Sequence, residues 1–335
     1  MTLITDAIGK MLGQRNILEV VVLGVNVVLI IAFAILVDGF ATLGNLSVIL
    51  SNSTSLAILS CGMAVVIISR GLDLSIIAVM VAGATTYASG IEAGLPGGLA
   101  LLITAAAMIT VGMVNAWLIA FAELPAMLAT LASAMVIMGL FRFAILQGEF
   151  MLLLPKSNPA VQILTADVLP GISVPILVTA VVLVATWVLL SRTIVGEIIY
   201  AMGDNFAAAR LSGLPVRPVT VVIYVWAALM AMLAGLLISS ASGAVDFRMV
   251  TNGSLLFDVI LVVVLGGIPL RGGRGGLRNI ILGVALIAVL RNGMTLMNVT
   301  TQTQDVIKGI VLLVAIATEN FLNPRDIETD TVGDL

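Results

Sequence analysis

The sequence predicts an all-α integral membrane protein with about ten transmembrane helices, and three observations carry that expectation. Its 335 residues are 61% hydrophobic and only 10% charged, where water-soluble domains carry about 25% charged residues. Apolar runs long enough to cross about 30 Å of hydrocarbon follow one another with mostly short breaks. Lysine and arginine fall mainly in alternate breaks, as they do on the inner side of a membrane.

The elements follow in chain order. Lys10 and Arg15 precede an uncharged stretch from Val20 to Val37 that no small-residue cleavage pattern follows. Residues 17–37 are therefore read as an uncleaved first span, with segment 1–16 in the cytoplasm. Runs bounded by charge, glycine or proline place the next spans at 46–68, 73–90, 98–121 and 125–146. A long outer connection, 147–173, holds Pro155, Pro159 and Pro170, and a sixth span covers 174–191. A long inner connection, 192–217, carries Arg192, Glu197, Asp204, Arg210 and Arg217. Spans at 218–241, 254–268, 277–297 and 303–321 complete the transmembrane domain, 17–321. The tail 322–335 is acidic, with Asp326, Glu328, Asp330 and Asp334, and is expected to be disordered in the cytoplasm. Asp258 and Arg291 interrupt the last third, so eight or nine spans stay open as alternatives.

Charge placement favours ten. With the N-terminus inside, Lys10, Arg15, Arg70, Arg192, Arg210, Arg217, Arg271, Arg274, Arg278 and Arg325 all fall in the cytoplasm, and only Lys156 and Arg248 fall outside. Arg142, Arg291 and Lys308 remain within spans, where an unpaired central charge costs at least about 2.5–3.5 kcal/mol, so they are expected to face protein, water or a helix end.

Composition excludes much chemistry. With no histidine, zinc sites of the HExxH kind and Ser-His or Cys-His nucleophile pairs are absent. The one cysteine, Cys61, lies in an apolar run and reads as a packing residue, with no disulfide or CxxC site possible. The glycine-rich stretch Arg271 to Gly276 is no phosphate loop, because that motif needs GxxxxGK followed by Ser or Thr. It is read as a tight inner turn, with Arg271, Arg274 and Arg278 facing lipid headgroups or a partner. No metal site, cofactor, catalytic residue or nucleic-acid partner is expected.

Polar residues inside spans are the candidates for a solute path. Ser51, Asn52, Ser53, Thr54 and Ser55 are consecutive in the second span, and Asn115 and Asn292 are single amides in the fourth and ninth. Each either contacts solute or bonds a neighbouring helix. Five polar residues in a row cannot all face one partner helix, and they are expected to mark a local break that lines a wet cavity. Asp73 either caps the helix that follows it or contacts solute. Asp258 either caps or pairs, and Asp305 stands three residues before Lys308, a helical pair.

The inner connection holds the most informative stretch. Gly203, Asp204 and Asn205 form a turn or helix start, and Phe206 to Leu211 form a short alanine-rich helix stopped at Ser212 and Gly213. A short helix on a basic inner face is either a docking element or a plain linker. The string AMGDNFAAARLSG, Ala201 to Gly213, resembles the cytoplasmic loop of the permease subunits of ribose-type ATP-binding cassette (ABC) sugar importers. Gly71 to Ser75 (GLDLS) is similar to that family's GxDLSVG, and Ala129 to Leu131 matches its ATL. Val263 to Gly267 with Gly272 to Gly275 resembles its VVLGG and GGKG pair, and Leu290 to Leu296 its LNNGLNL. The likeness runs over residues 45–320. It departs at Ile76 and Ile77, where VG is usual, at Leu256, where a glutamate is usual, at Met138, where an arginine is usual, and at Arg291, where an asparagine is usual.

The resemblance implies the permease fold of the ribose and vitamin B12 importers and a place in a bacterial inner membrane with both termini cytoplasmic. It implies that Gly203, Asp204, Asn205, Ala208, Arg210, Leu211, Ser212 and Gly213 couple to a separate ATP-hydrolysing subunit. It also implies a periplasmic solute-binding protein, a second permease copy, surrounding lipid and a sugar-like substrate. Asn52, Ser53, Thr54, Asp73, Asn115 and Asn292 are then the expected path residues. The rival expectation is an ion-coupled secondary transporter using Asp73, Asp258, Asp305 or Glu319, with a channel as a third possibility.

Overall fold

The computed structural model describes residues 17–169 and 172–322. Segment 1–16, Pro170 and the acidic residues beyond Leu322 lie outside the described residues, as does the side chain of Glu319. Fourteen helices and four short strands make up the described part. In order they are α1 (Ile17–Leu36), α2 (Leu43–Ile68), α3 (Ile76–Glu92), α4 (Gly97–Ala120), α5 (Ala126–Ala144), β1 (Met151–Leu153), α6 (Pro159–Thr165), β2 (Asp167–Leu169) and β3 (Ile172–Ser173). There follow α7 (Val174–Arg192), α8 (Ile194–Asp204), α9 (Phe206–Leu211), α10 (Val216–Ser242), β4 (Ala244–Asp246), α11 (Arg248–Thr251), α12 (Ser254–Leu265), α13 (Leu277–Leu296) and α14 (Thr301–Leu322).

A helix occupies each of the ten expected spans. Seven of them, α1, α2, α4, α5, α7, α10 and α13, are long and apolar enough by themselves to cross a membrane. The shorter α3 and α12 are apolar, but α12 has 12 residues and so rises only about 18 Å. Gly266 and Gly267 end it before the expected limit at 268. In α14, Asp305 and Lys308 interrupt the apolar face.

The core forms where helices are apolar all round. From Leu56 to Ile68 every residue of α2 is buried, as a helix without a polar face must be. It packs with α3 and α4 around α10, the central helix. Small residues permit the closest approaches: a Cβ on Gly112 of α4 would lie 2.8 Å from Val225 Cα and 2.9 Å from the Tyr224 carbonyl oxygen of α10. Gly112→Leu is expected to force α4 off α10 at a cost of about 1–3 kcal/mol, the usual penalty of overpacking, read as an earlier thermal melt in detergent.

Contacts between connections sort them to two ends. At one end β1 pairs antiparallel with β4, Leu152 opposite Val245, and the Asn45 and Asn292 amides exchange hydrogen bonds of 2.9 Å. At the other, the Gly273 amide donates to the Ile68 carbonyl at 2.8 Å, and Tyr200 Oη donates to the Gly275 carbonyl at 2.7 Å. Arg210 and Arg217 reach Glu123 there at 3.5 and 3.3 Å. Connections on either side of a crossing fall at opposite ends, as alternating spans require.

Candidate functional site: a docking helix and a polar wall

The connection 192–217 folds as two helices. Thr193 caps α8, its hydroxyl accepting from the Gly196 amide at 3.1 Å, and Asn205 caps α9 by accepting from the Ala208 amide at 2.9 Å. These side chains satisfy first-turn amides that a helix cannot bond itself. Ser212 and Gly213 close α9. Asn205 is thus a helix start, as expected, whereas Gly203 and Asp204 belong to the last turn of the preceding helix and not to a turn. Gly203 is buried because α8 lies directly on the chain beneath it: a Cβ there would overlap the Ile68 carbonyl oxygen and the Gly273 amide nitrogen.

Of the expected coupling residues, Asp204, Asn205, Ala208, Arg210, Leu211, Ser212 and Gly213 are exposed. So are apolar side chains that water does not favour: Leu211 is 88% and Ile194 75% exposed, and Phe206 is 41% exposed. Exposed apolar side chains and exposed guanidinium groups thus share this connection. Beside it, Tyr200, Ala201, Asp204, Gly273 and Arg274 line a cavity of about 280 Å³. Burial beside the loop raises the Tyr200 hydroxyl above its usual range, so it stays a proton donor to Gly275. Arg271, Arg274 and Arg278 are exposed and form no ion pair among the described residues.

The six expected path residues separate into two places. Asp73 and Asn115 are buried together towards the end that carries α8 and α9: Asn115 Nδ2 donates to Ser75 Oγ at 2.9 Å, and both the Ser75 amide and hydroxyl donate to Asp73 Oδ1. Asp73 therefore turns the chain into α3, and Asn115 ties α4 to that turn. Asn52, Ser53, Thr54 and Asn292 lie towards the opposite end. The expected break at residues 51–55 is absent. α2 runs through them unbroken, because Ser53 and Thr54 return their hydroxyls to the Leu50 and Ser51 carbonyls at 2.9 and 2.8 Å and so need no partner elsewhere. Ser51 and Asn52 are exposed on α2, and Arg291 and Thr295 are exposed on α13, the helix that the Asn45–Asn292 pair joins to α2. These uncovered polar groups on two joined helices form a candidate polar wall.

Asp258 pairs, one of its two expected roles, with a partner that the sequence did not indicate. Lys308 Nζ on α14 bonds Asp258 Oδ1 of α12 at 2.7 Å and Asp305 Oδ1 at 2.9 Å. The spacing of Asp305 and Lys308 announced only the second of these contacts; nothing local announces the first.

Residues 45–316 match the model of a family described as branched-chain amino acid transport system / permease component. The ribose import permease protein RbsC of Bacillus subtilis (strain 168) is 33% identical over 289 residues, covering 86% of this chain and 88% of that protein. RbsC of Escherichia coli (strain K12) is 30% identical over 306 residues, covering 88% and 91%. The L-arabinose transport system permease protein AraH of Escherichia coli (strain K12) is 30% identical over 294 residues, covering 88% of each. No solved structure matches the chain.

Proposed function

This chain belongs to the family of branched-chain amino acid transport system / permease components, and from that premise we propose the following account of its work. It is the membrane-crossing subunit of an ABC importer for a pentose-like sugar, ribose and arabinose being named for its relatives. Ten crossings put both termini and the α8–α9 block in the cytoplasm of a bacterial inner membrane. A separate subunit hydrolyses ATP and seats on α9, a periplasmic solute-binding protein delivers sugar to the β1–β4 end, and a second permease copy closes the path. Solute passes along the wall of Ser51, Asn52 and Asn292, where hydroxyls and amides exchange for water without holding the sugar tightly. ATP-driven movement of α9 shifts the balance between outward-open and inward-open forms.

The single observation that carries this reading is the capped helix α9, with Leu211 and Phe206 uncovered at the arginine-rich end. Of the four carboxylates that an ion-coupled transporter would use, three are otherwise engaged, and the side chain of the fourth, Glu319, lies outside the described residues. Asp258 and Asp305 share Lys308, and Asp73 is buried and bonded by Ser75. Proteoliposomes with the permease, its ATPase and its binding protein are expected to accumulate labelled ribose or arabinose only with internal ATP, and to do so unaffected by ionophores. Accumulation without the ATPase, or its collapse on adding an ionophore, would transfer the chain to the ion-coupled class.

A further inference from the structure

We infer that the glycine-rich loop 271–276 and Gly203 form a coupling junction that passes movement of the docking block straight to α2, the helix whose far half carries the polar wall. The inference rests on the reading that α9 seats an ATPase. It gives a task to a loop for which phosphate binding is excluded and whose glycines otherwise serve only a turn.

The junction is built from backbone. The last carbonyls of a helix lack partners within it, and at the end of α2 the Ile68 carbonyl takes the Gly273 amide at 2.8 Å. Gly273 reaches it only with φ near +76° and Gly272 only near +79°, a region that side chains disfavour. Gly203 of α8 then lies on that hydrogen bond with no side chain between, and a Cβ on Gly273 would stand 3.0 Å from both Cα and N of Asp204. Tyr200 Oη grips the same loop at Gly275, and Asn279 Nδ2 closes its base on the Gly266 carbonyl at 2.7 Å. Docking block, loop and α2 terminus are thus in contact with no compliant side chain at the centre.

A push on such a contact moves what lies behind it. α2 is one unbroken helix of 26 residues, about 39 Å long, without proline. Its far end is joined to α13 by the reciprocal Asn45–Asn292 bonds. A displacement received at Ile68 therefore reaches Ser51 and Asn52 through a single stiff element, the kind of contiguous physical route that coupling between distant sites needs.

The test reads the wall while perturbing the junction. Asn52→Cys supplies a thiol on the wall, and the native Cys61 is wholly buried. Labelling by a membrane-impermeant maleimide is timed in the assembled permease–ATPase complex, nucleotide-free and trapped with ATP and vanadate. With the native junction the two rates are expected to differ about fivefold or more. Gly273→Ala, which pushes α8 off the loop, should bring the ratio below about twofold. Tyr200→Phe, which loses one hydrogen bond, should give an intermediate ratio. Gly276→Ala serves as the control in the same loop, because a Cβ there meets nothing closer than Tyr200 Oη at 3.7 Å, and it should leave the ratio unchanged.

Retention of the full ratio by Gly273→Ala and Tyr200→Phe, with the ATPase still co-purifying, would overturn the junction while leaving the ATP-driven reading intact. Loss of the ATPase together with the ratio would also overturn it, making the loop part of the docking surface. If Gly273→Ala does not assemble, Tyr200→Phe decides. No nucleotide dependence with the native junction would sink the ATP-driven reading itself, and the junction with it.

Discussion

Lys308→Ala is expected to destabilise the folded permease by about 3–5 kcal/mol, the cost of leaving a buried charge without its partner. The side chains of Lys308 and Asp258 are 9% and 5% exposed, with Nζ and Oδ1 2.7 Å apart. Lys308 also holds Asp305 at 2.9 Å and Ser254 Oγ at 3.3 Å. Removing the ammonium strands the Asp258 carboxylate in a medium that cannot solvate it, whereas Asp305, 44% exposed, keeps access to a polar medium. The effect is magnified by place. α14 packs chiefly on α12, so the pair is the specific tie between the last helix and the bundle. A lower melting temperature and protease cleavage before α14 are the expected readouts. Lys308→Met combined with Asp258→Asn should recover most of the loss, since neither charge is then buried alone. A single variant that melts with the wild type would mean that water or a partner reaches the pair in the assembled importer.

Asp258 also marks where reading the sequence stops. Hydropathy located a helix for every expected span, because crossing hydrocarbon demands long apolar runs whatever the tertiary fold. It could not reveal that Asp258 and Lys308, 50 positions apart, meet inside the protein, since a pair across two helices leaves no trace in local spacing. Arg142 was left to face protein, water or a helix end, and it lies in the last turn of α5, donating to the Gly148 carbonyl at 2.7 Å and standing 3.7 Å over the Phe150 ring.

Polar residues misled for a related reason. Five in a row at Ser51 to Ser55 read as a break, yet serine and threonine can bond the preceding turn of their own helix, so α2 continues. Around α9 the opposite holds: Asn205 as cap and Gly213 as stop are local devices, and they were legible. Gly203 was not. Turn glycines and close-contact glycines look alike in a sequence, and only the neighbouring Ile68 carbonyl and Gly273 amide distinguish them.

Leu211→Asp is expected to abolish uptake while leaving the permease folded and inserted. Leu211 is 88% exposed, so the substitution removes almost no contact within the chain. In the assembled importer the same side chain is expected to be buried against the ATPase, where covering a leucine contributes roughly 1.5–3 kcal/mol. An aspartate at that point forfeits this term and adds the cost of desolvating a carboxylate. The ATPase should therefore bind more than about tenfold more weakly, measured by co-purification, and ATP-dependent uptake should fall to background. Arg210→Ala provides the contrast. Its contact with Glu123 is 3.5 Å long between side chains 58% and 60% exposed, and exposed pairs contribute about 0–1 kcal/mol. Melting should therefore not move, and any loss of ATPase binding would come from the partner alone. Full binding by both variants would place the ATPase elsewhere, because an apolar tip that tolerates a carboxylate is not covered in the complex.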